Sequence, residues 1–473
     1  MQLDLPQIFN HKFSSQISIL NMKKLPLILL FSLLVGLQGC DTFLDAKPDK
    51  ALATPETLAD LAAMMDNVVM HTNYPVAGDI ASDDYYMQDA VWEAITDQVA
   101  RQNYVWDPTT EQVFPWLDAY NRVFIANVVL DRLEELRFAG NSLAQADILK
   151  GQALFYRAFN FYHLLQVYTL PYTKAAAGSL PGIVLKLKSD TEEPIARASV
   201  EKSYHQTISD LEAAAALLPA KAQFKTQPSK VAAFALLARI YLIMGDYPAA
   251  NRYADAAIEL QPNLTDYNAV SQTAANPFAI FHEEVILHAT GASRGGVFNA
   301  SRARIDTLLY KSYVNDDLRK VLYFRRNTDG TYIFKGDYGG RNTSNLFSGI
   351  ATDELYLIRA ETFVRMEEVE KGLADLNRLA LKRWKTGTFV PYSTSNTANP
   401  LQTILTERRK ELLFRTNIRW SDLRRFAADP VLAQTPLRKL KGTTYSLQPG
   451  DLHYAFLIPA SAVNLSGLQQ NSR

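Results

Sequence analysis

VAAFALLARIYLIMGDYPAANRYADAAIELQPNL, residues 231–264, places large, small and turn residues in the order of one tetratricopeptide unit. Phe234, Leu237, Ala238 and Tyr241 fall on a first helix, Ala250, Ala254 and Ala257 on a second, and Pro262 after it. The alanines let two antiparallel helices approach closely, and the aromatics fill the groove between neighbouring units. Gly245-Asp246 breaks the chain at the turn between them. A second copy is visible from Asp353, with Tyr356, Ala360 and Phe363, then Gly372, Leu376 and Leu379. A degenerate third begins near Gly151 with Leu154, Ala158 and Phe161. An irregular insertion over 169–198 separates it from its expected partner helix at 200–217. Apolar residues three and four apart predict further helices at 57–69, 116–136 and 401–414. The expected fold is mainly α, a helical-repeat scaffold with long loops and a few short β-strands.

Two stretches break this periodicity. Residues 263–349 accumulate Gly and Asn and carry short β-type runs such as Val285-Ile286-Leu287 and Thr331-Tyr332-Ile333-Phe334. Residues 70–115 are crowded with Tyr74, Tyr85, Tyr86, Trp92, Tyr104 and Trp106. Long loops on a rigid scaffold are where binding residues concentrate.

Lys and Arg number 49 against 49 Asp and Glu, a balance that implies no polyanionic partner and no electrostatic footprint for nucleic acid. Cys40 is the single cysteine, so no internal disulfide can form and stability must come from a hydrophobic core. It follows Leu37-Gln38-Gly39, the form of a bacterial lipoprotein cleavage box. Upstream, Met22-Lys23-Lys24 is a basic start and Leu25 to Leu37 an apolar stretch, too short for the roughly 20 residues of a spanning helix. The reading is a lipoprotein signal peptide over 22–39 with Cys40 as the lipid-attachment residue and Met22 as an alternative start to Met1.

Three patterns suggest chemistry. Gly291-Ala292-Ser293-Arg294-Gly295 matches a nucleophile elbow, with His453 far downstream, but the elbow needs a parallel sheet that a helical-repeat chain does not offer. A surface serine hydrolase using Ser293 is therefore the minor alternative. His282-Glu283-Glu284 with His288 lacks the one-turn spacing of a zinc protease, and an ordinary edge strand is the expectation there. Asp79, Asp83, Asp84 and Asp89 lack the calcium-loop spacing and are assigned to capping and turns. For Glu407 to Arg425 the expectation is local ion pairs along one helix, with Trp420 and Leu423 facing the core. No phosphate loop or dinucleotide fingerprint is found, so the expectation is no enzyme, no cofactor and no metal.

Several segments in order along the chain carry a resemblance to a known family. They are Cys40-Asp41-Thr42-Phe43-Leu44-Asp45 with Pro48, the Arg157-Ala158 helix, Asp210-Leu211, and Glu354 to Glu361. Glu407 to Leu412 leads into Arg419-Trp420-Ser421-Asp422-Leu423-Arg424-Arg425, and Phe456-Leu457-Ile458-Pro459 closes the set with Asn464 and Gln470-Asn471. Together they resemble the SusD/RagB family of surface nutrient-binding lipoproteins of Bacteroidetes. Arg415-Thr416-Asn417 departs from the acidic residue and glycine common there, and Leu165 to Thr169 lacks the frequent glycine. The resemblance implies an N-terminal half over 40–262 and a C-terminal half over 263–473. It also implies attachment to the outer membrane, exposure at the cell surface, and a SusC-like TonB-dependent transporter as partner, docked on the helical-repeat side. The ligand it implies is an oligosaccharide, with a peptide as the alternative. Family sites are built from loops in the two irregular regions, and the aromatic content there selects Tyr85, Tyr86, Trp92 and Trp106 from the first and Tyr332 and Tyr338 from the second as ligand-binding residues.

Overall fold

Sixteen α-helices are found among residues 55–340 and 345–473, which are those the computed structural model describes; Cys40 and the expected leader at 22–39 lie outside them. The first is α1 (Leu58–Met65), closed by a capping box in which Thr57 and Asp60 satisfy each other's backbone N–H groups. Short α2 (Ala77–Ala81), α3 (Asp89–Glu93) and α4 (Gln98–Tyr104) occupy the first irregular region. The scaffold then runs through α5 (Val113–Glu135), α6 (Asn141–Tyr168), α7 (Val200–Leu217), α8 (Lys230–Met244) and α9 (Tyr247–Leu260). After α10 (Thr307–Ser312) and α11 (Arg319–Tyr323) it resumes with α12 (Thr352–Arg365), α13 (Val369–Leu381), α14 (Pro400–Glu411) and α15 (Ile418–Phe426), and ends in α16 (Ala460–Ser466). Neighbours pack in series from α5 to α9, and α9 then packs on α12, which packs on α13 and α14.

The repeat spacing translates directly into these contacts. Gly245 ends α8 with φ of 77°, a left-handed conformation that costs glycine little, and Asp246 caps α9 by accepting from the Ala249 N–H. Ala250, Ala254 and Ala257 are fully buried between the paired helices. In the second copy, a Cβ on Gly372 would lie 2.7 Å from the Ala360 carbonyl, so α12 and α13 cross where only glycine fits. The degenerate third unit is α6 with α7, bound by a buried bidentate pair between Arg157 and Asp210 at 2.7 Å.

The Glu407–Arg425 run departs from the expectation of one helix with local pairs. It is two helices, α14 and α15, parted by a turn in which Phe414 and Asn417 have positive φ. Only Lys410–Glu407 and Arg425–Asp422 are local. The remaining partners are distant: Arg408 meets Asp422, Arg425 meets Glu361, Arg415 meets Asp353, and Arg419 meets Asp83. Glu411 is shared by Arg319 and Arg383. Burial alone would raise the Glu361 carboxyl, but Arg425 and Arg365 outweigh it and hold the group below its usual value; Arg408 and Arg425 do the same for Asp422. Trp420 and Leu423 face the core as expected.

Ten short strands form five antiparallel pairs among the described residues. In chain order they are β1 (Tyr85–Tyr86), β2 (Pro181–Val184), β3 (Arg197–Ser199), β4 (Val285–Leu287), β5 (Arg304–Ile305), β6 (Phe324–Arg326), β7 (Tyr332–Phe334), β8 (Ile350–Ala351), β9 (Leu437–Leu440) and β10 (Thr443–Ser446). The pairs are β1 with β5, β2 with β3, β4 with β8, β6 with β7, and β9 with β10. The first of these joins the two irregular regions.

Candidate functional site

Tyr86 pairs across the β1–β5 ladder with Arg304, while Tyr85 pairs with Ile305. Strand alternation sends the two tyrosines to opposite faces, so Tyr85 enters the core and Tyr86 stays partly exposed. Beside β5 lies the β6–β7 hairpin, where Arg326 faces Tyr332. Its turn is held by Asn327 N–H donating to the Thr331 carbonyl at 2.8 Å, and by Gly330 at φ of 84°. Asp329 accepts from the Thr331 hydroxyl at 2.6 Å and from its N–H at 3.0 Å, which lowers the carboxyl's pKa. From α10, Tyr310 stacks on Tyr332 with ring centroids 3.6 Å apart and planes 17° from parallel. Both rings are partly exposed, and the Lys320 ammonium sits 5.3 Å from the Tyr310 centroid. Burial raises the Tyr86 hydroxyl pKa despite the opposing charge of Arg304.

The same seam holds a cleft between residues 73–80, 97–103, 112–118 and Arg294. Its walls are mostly apolar, with Val99 and Phe114 exposed and the Arg294 guanidinium 4.1 Å from the Phe114 centroid. Asn103 Oδ1 and Gln112 Nε2 line it, buried and with no hydrogen-bond partner among the described residues.

Of the residues singled out from sequence, Tyr86 and Tyr332 lie on neighbouring strands. Trp92 is half-buried, donating from Nε1 to the Arg101 carbonyl at 3.0 Å. Tyr85, Trp106 and Tyr338 are packed inside, at 1%, 7% and 3% exposure. Tyr85 and Trp106 donate to the Ile80 and Ala81 carbonyls, and the Tyr338 hydroxyl donates to buried Glu284 beneath the Arg415 guanidinium. Ligand contact at these three positions is therefore withdrawn in favour of a packing role, because their polar atoms are already engaged by the interior. Sequence reading missed Tyr310, which sits in a short helical run. The signal that would have found its neighbours was the turn Asn327 to Gly330 between two β-type runs, which sets Arg326 opposite Tyr332.

The patterns suggesting chemistry resolve into packing. Ser293 is followed by turns rather than a helix, the parallel pairing beside it is one isolated bridge of Gly291 with Tyr74 rather than a sheet, and His453 pairs with Asp451. Glu284 pairs with Arg383 at 2.7 Å, and β4 is buried throughout rather than alternating as an edge strand. Asp83 and Asp84 pair with Arg419 and Arg409, Asp79 accepts from the Asn417 N–H, and Asp89 from that of Lys441.

Residues 42–242 match the profile of a SusD-like family described as starch-binding and associating with the outer membrane. Over those residues the chain is similar to the SusD-like family. It is 27% identical over 168 residues to SusD-like protein P2 of Formosa agariphila, a match spanning 34% of this chain and 31% of that relative's length. A SusD superfamily protein from Bacteroides thetaiotaomicron superposes with a TM-score of 0.71 at 21% identity, covering 88% of this chain and all of that one. A SusD-like carbohydrate-binding protein from Bacteroides vulgatus gives 0.65 at 18%, covering 87% and 97%. These likenesses establish a SusD-like fold for the described chain. Among the described residues no helix is long and apolar enough to cross a membrane.

Proposed function

We propose that this chain is a non-enzymatic capture protein that holds an oligosaccharide at the cell surface and passes it to a SusC-like TonB-dependent transporter. The observation that carries the capture step is the Tyr310–Tyr332 stack, partly exposed beside Tyr86 where the two irregular regions meet. Aromatic faces suit the flat apolar faces of sugar rings, and the neighbouring Asn327, Thr328 and Arg side chains supply directed hydrogen bonds. The family's starch-binding description and the carbohydrate-binding relative support the same reading. Trp92 belongs to the same proposal as an outlying contact.

Attachment to the outer membrane through lipidated Cys40 completes the proposal. Replacing Cys40 with Ala should release folded protein from the membrane fraction, and retention there would refute the anchor. For capture, binding to an array of oligosaccharides should be lost in a Tyr310→Ala, Tyr332→Ala double variant that melts like the parent; unchanged binding would refute the site. The apolar cleft, where Asn103 Oδ1 and Gln112 Nε2 have no partner among the described residues, favours a peptide as the second reading, since such a cleft takes an apolar side chain and its backbone. Peptide binding that survives the double tyrosine variant and fails in Phe114→Ala would select it.

A further inference from the structure

We propose that the oligosaccharide held at the Tyr310–Tyr332 platform is anionic, its carboxylate or sulfate groups met by Arg304, Arg325 and Arg326. This rests on the oligosaccharide reading above and specifies the chemical class of that ligand.

Balanced charge over the whole chain implied no polyanionic partner, but the local distribution points the other way. Many arginines of the interior are matched by carboxylates, Arg239 by Glu354, Arg383 by Glu284 and Glu411, Arg419 by Asp83, and Arg425 by Glu361 and Asp422, while buried Arg122, Arg424 and Arg438 are engaged by backbone carbonyls. Arg304, Arg325 and Arg326 form no ion pair among the described residues, although all three border one open hollow with Asn327, Thr328 and Asp329. Arg304 donates only through Nη1 to the Ala300 carbonyl at 3.2 Å, and its Nε is buried without a partner. The one carboxylate at the hollow, Asp329, already accepts two hydrogen bonds from Thr331. Three guanidiniums therefore stand against one engaged carboxylate, an arrangement whose mutual repulsion an incoming anion relieves. A guanidinium presents a planar fork that takes carboxylate or sulfate oxygens in pairs.

Register ties these charges to the aromatic surface. Arg304 is the ladder partner of Tyr86, and Arg326 that of Tyr332. A sugar ring lying on the tyrosines thus has its substituents within reach of guanidiniums carried on paired strands rather than on a free loop. An acidic peptide offers the anions without a ring to lie on the stack, so the combination favours a uronate or a sulfated sugar.

The test measures binding of the purified full chain to four probes: an oligogalacturonate and its carboxyl-reduced neutral form, and a sulfated galactan fragment and its desulfated form. One acidic probe should bind at least about tenfold tighter than its neutral counterpart, and added salt should weaken it as it screens the pairing. Which acidic probe binds distinguishes a carboxylate from a sulfate ligand. Arg325→Gln with Arg326→Gln, both exposed, should remove most of that preference with an unchanged melting temperature, and Arg304→Gln should add to the loss. Equal binding of acidic and neutral probes, unaffected by these substitutions, overturns the anionic class and leaves the oligosaccharide reading standing. Binding of none of the four, with polyglutamate bound instead, overturns both.

Discussion

Arg319 and Arg326 lie on adjoining elements, α11 and β6, and live under opposite rules. Arg319 is buried and contacts Asp317, Glu407 and Glu411, whereas Arg326 is exposed and meets no carboxylate among the described residues. Taking an ion out of water costs several kcal/mol, so a buried guanidinium persists where carboxylates surround it or, as for Arg122 and Arg424, where several backbone carbonyls accept from it. The matched set around α14 and α15 thereby ties together segments distant in sequence. At the hairpin, water meets the cost and nothing compels a match. Charge left unmatched beside stacked rings is available to a ligand.

The largest effect should come from breaking the matched side. Glu411→Ala leaves Arg319 and Arg383 short of a buried partner and should cost about 3 to 5 kcal/mol of stability, read from denaturant unfolding. Trp106→Ala should cost about 3 kcal/mol through the cavity it leaves, with the ligand affinity of the folded fraction unchanged. Affinity lost without stability would return that ring to the binding surface.

Acid should undo the interior before it touches the platform. Burial, then Arg239 and Arg122, hold His163 well below its usual value, and burial with Arg415 and Lys225 brings His282 down to about 3. The unfolded chain protonates both near pH 6.5, so their contribution is present above that pH and falls away below it. Asp422 and Glu361, held low, add a second loss as pH drops through about 4. Asp79, raised by burial, works in the other direction, subtracting stability above about pH 4. Thermal melts between pH 8 and 4 should show stability falling with pH, and a flat profile would contradict these environments.

On the unmatched side the effects are smaller. Tyr332→Ala should weaken ligand binding by about 1 to 2 kcal/mol while shifting the melting temperature little, because the ring is partly exposed. Smallest of all, Asp316→Asn, which removes the exposed pair with Lys385, should change stability by no more than about 0.5 kcal/mol. A larger loss would mean that exposed pairing also contributes to the fold.

The repeats were legible because their signal is local: alanines and aromatics at helical spacing, a glycine at the turn. The ion network was not, since Arg415 reaches Asp353 and Arg425 reaches Glu361 across 62 and 64 residues, and no spacing rule foresees such partners. Aromatic crowding located the seam without telling which rings face outward. Tyr85 and Tyr86 are adjacent in sequence and opposite in fate, decided by the two-residue ladder with β5. Tyr338 was drawn in by a buried carboxylate, Glu284, that composition cannot see.

Asn417 donates from its side chain to the carbonyl of Pro75, 342 residues away, and from its backbone to Asp79. During synthesis α2 therefore emerges long before the residues that close over it exist. Long-range closures of this kind are slow steps, since chain entropy is lost before the contact forms. The proposed capture surface borders that closure through β1, which begins four residues after the end of α2. Under the export proposed above, a chain that must stay unfolded in transit gains from this order of events, because α2 stays uncovered until the residues from Asn417 onward have been made.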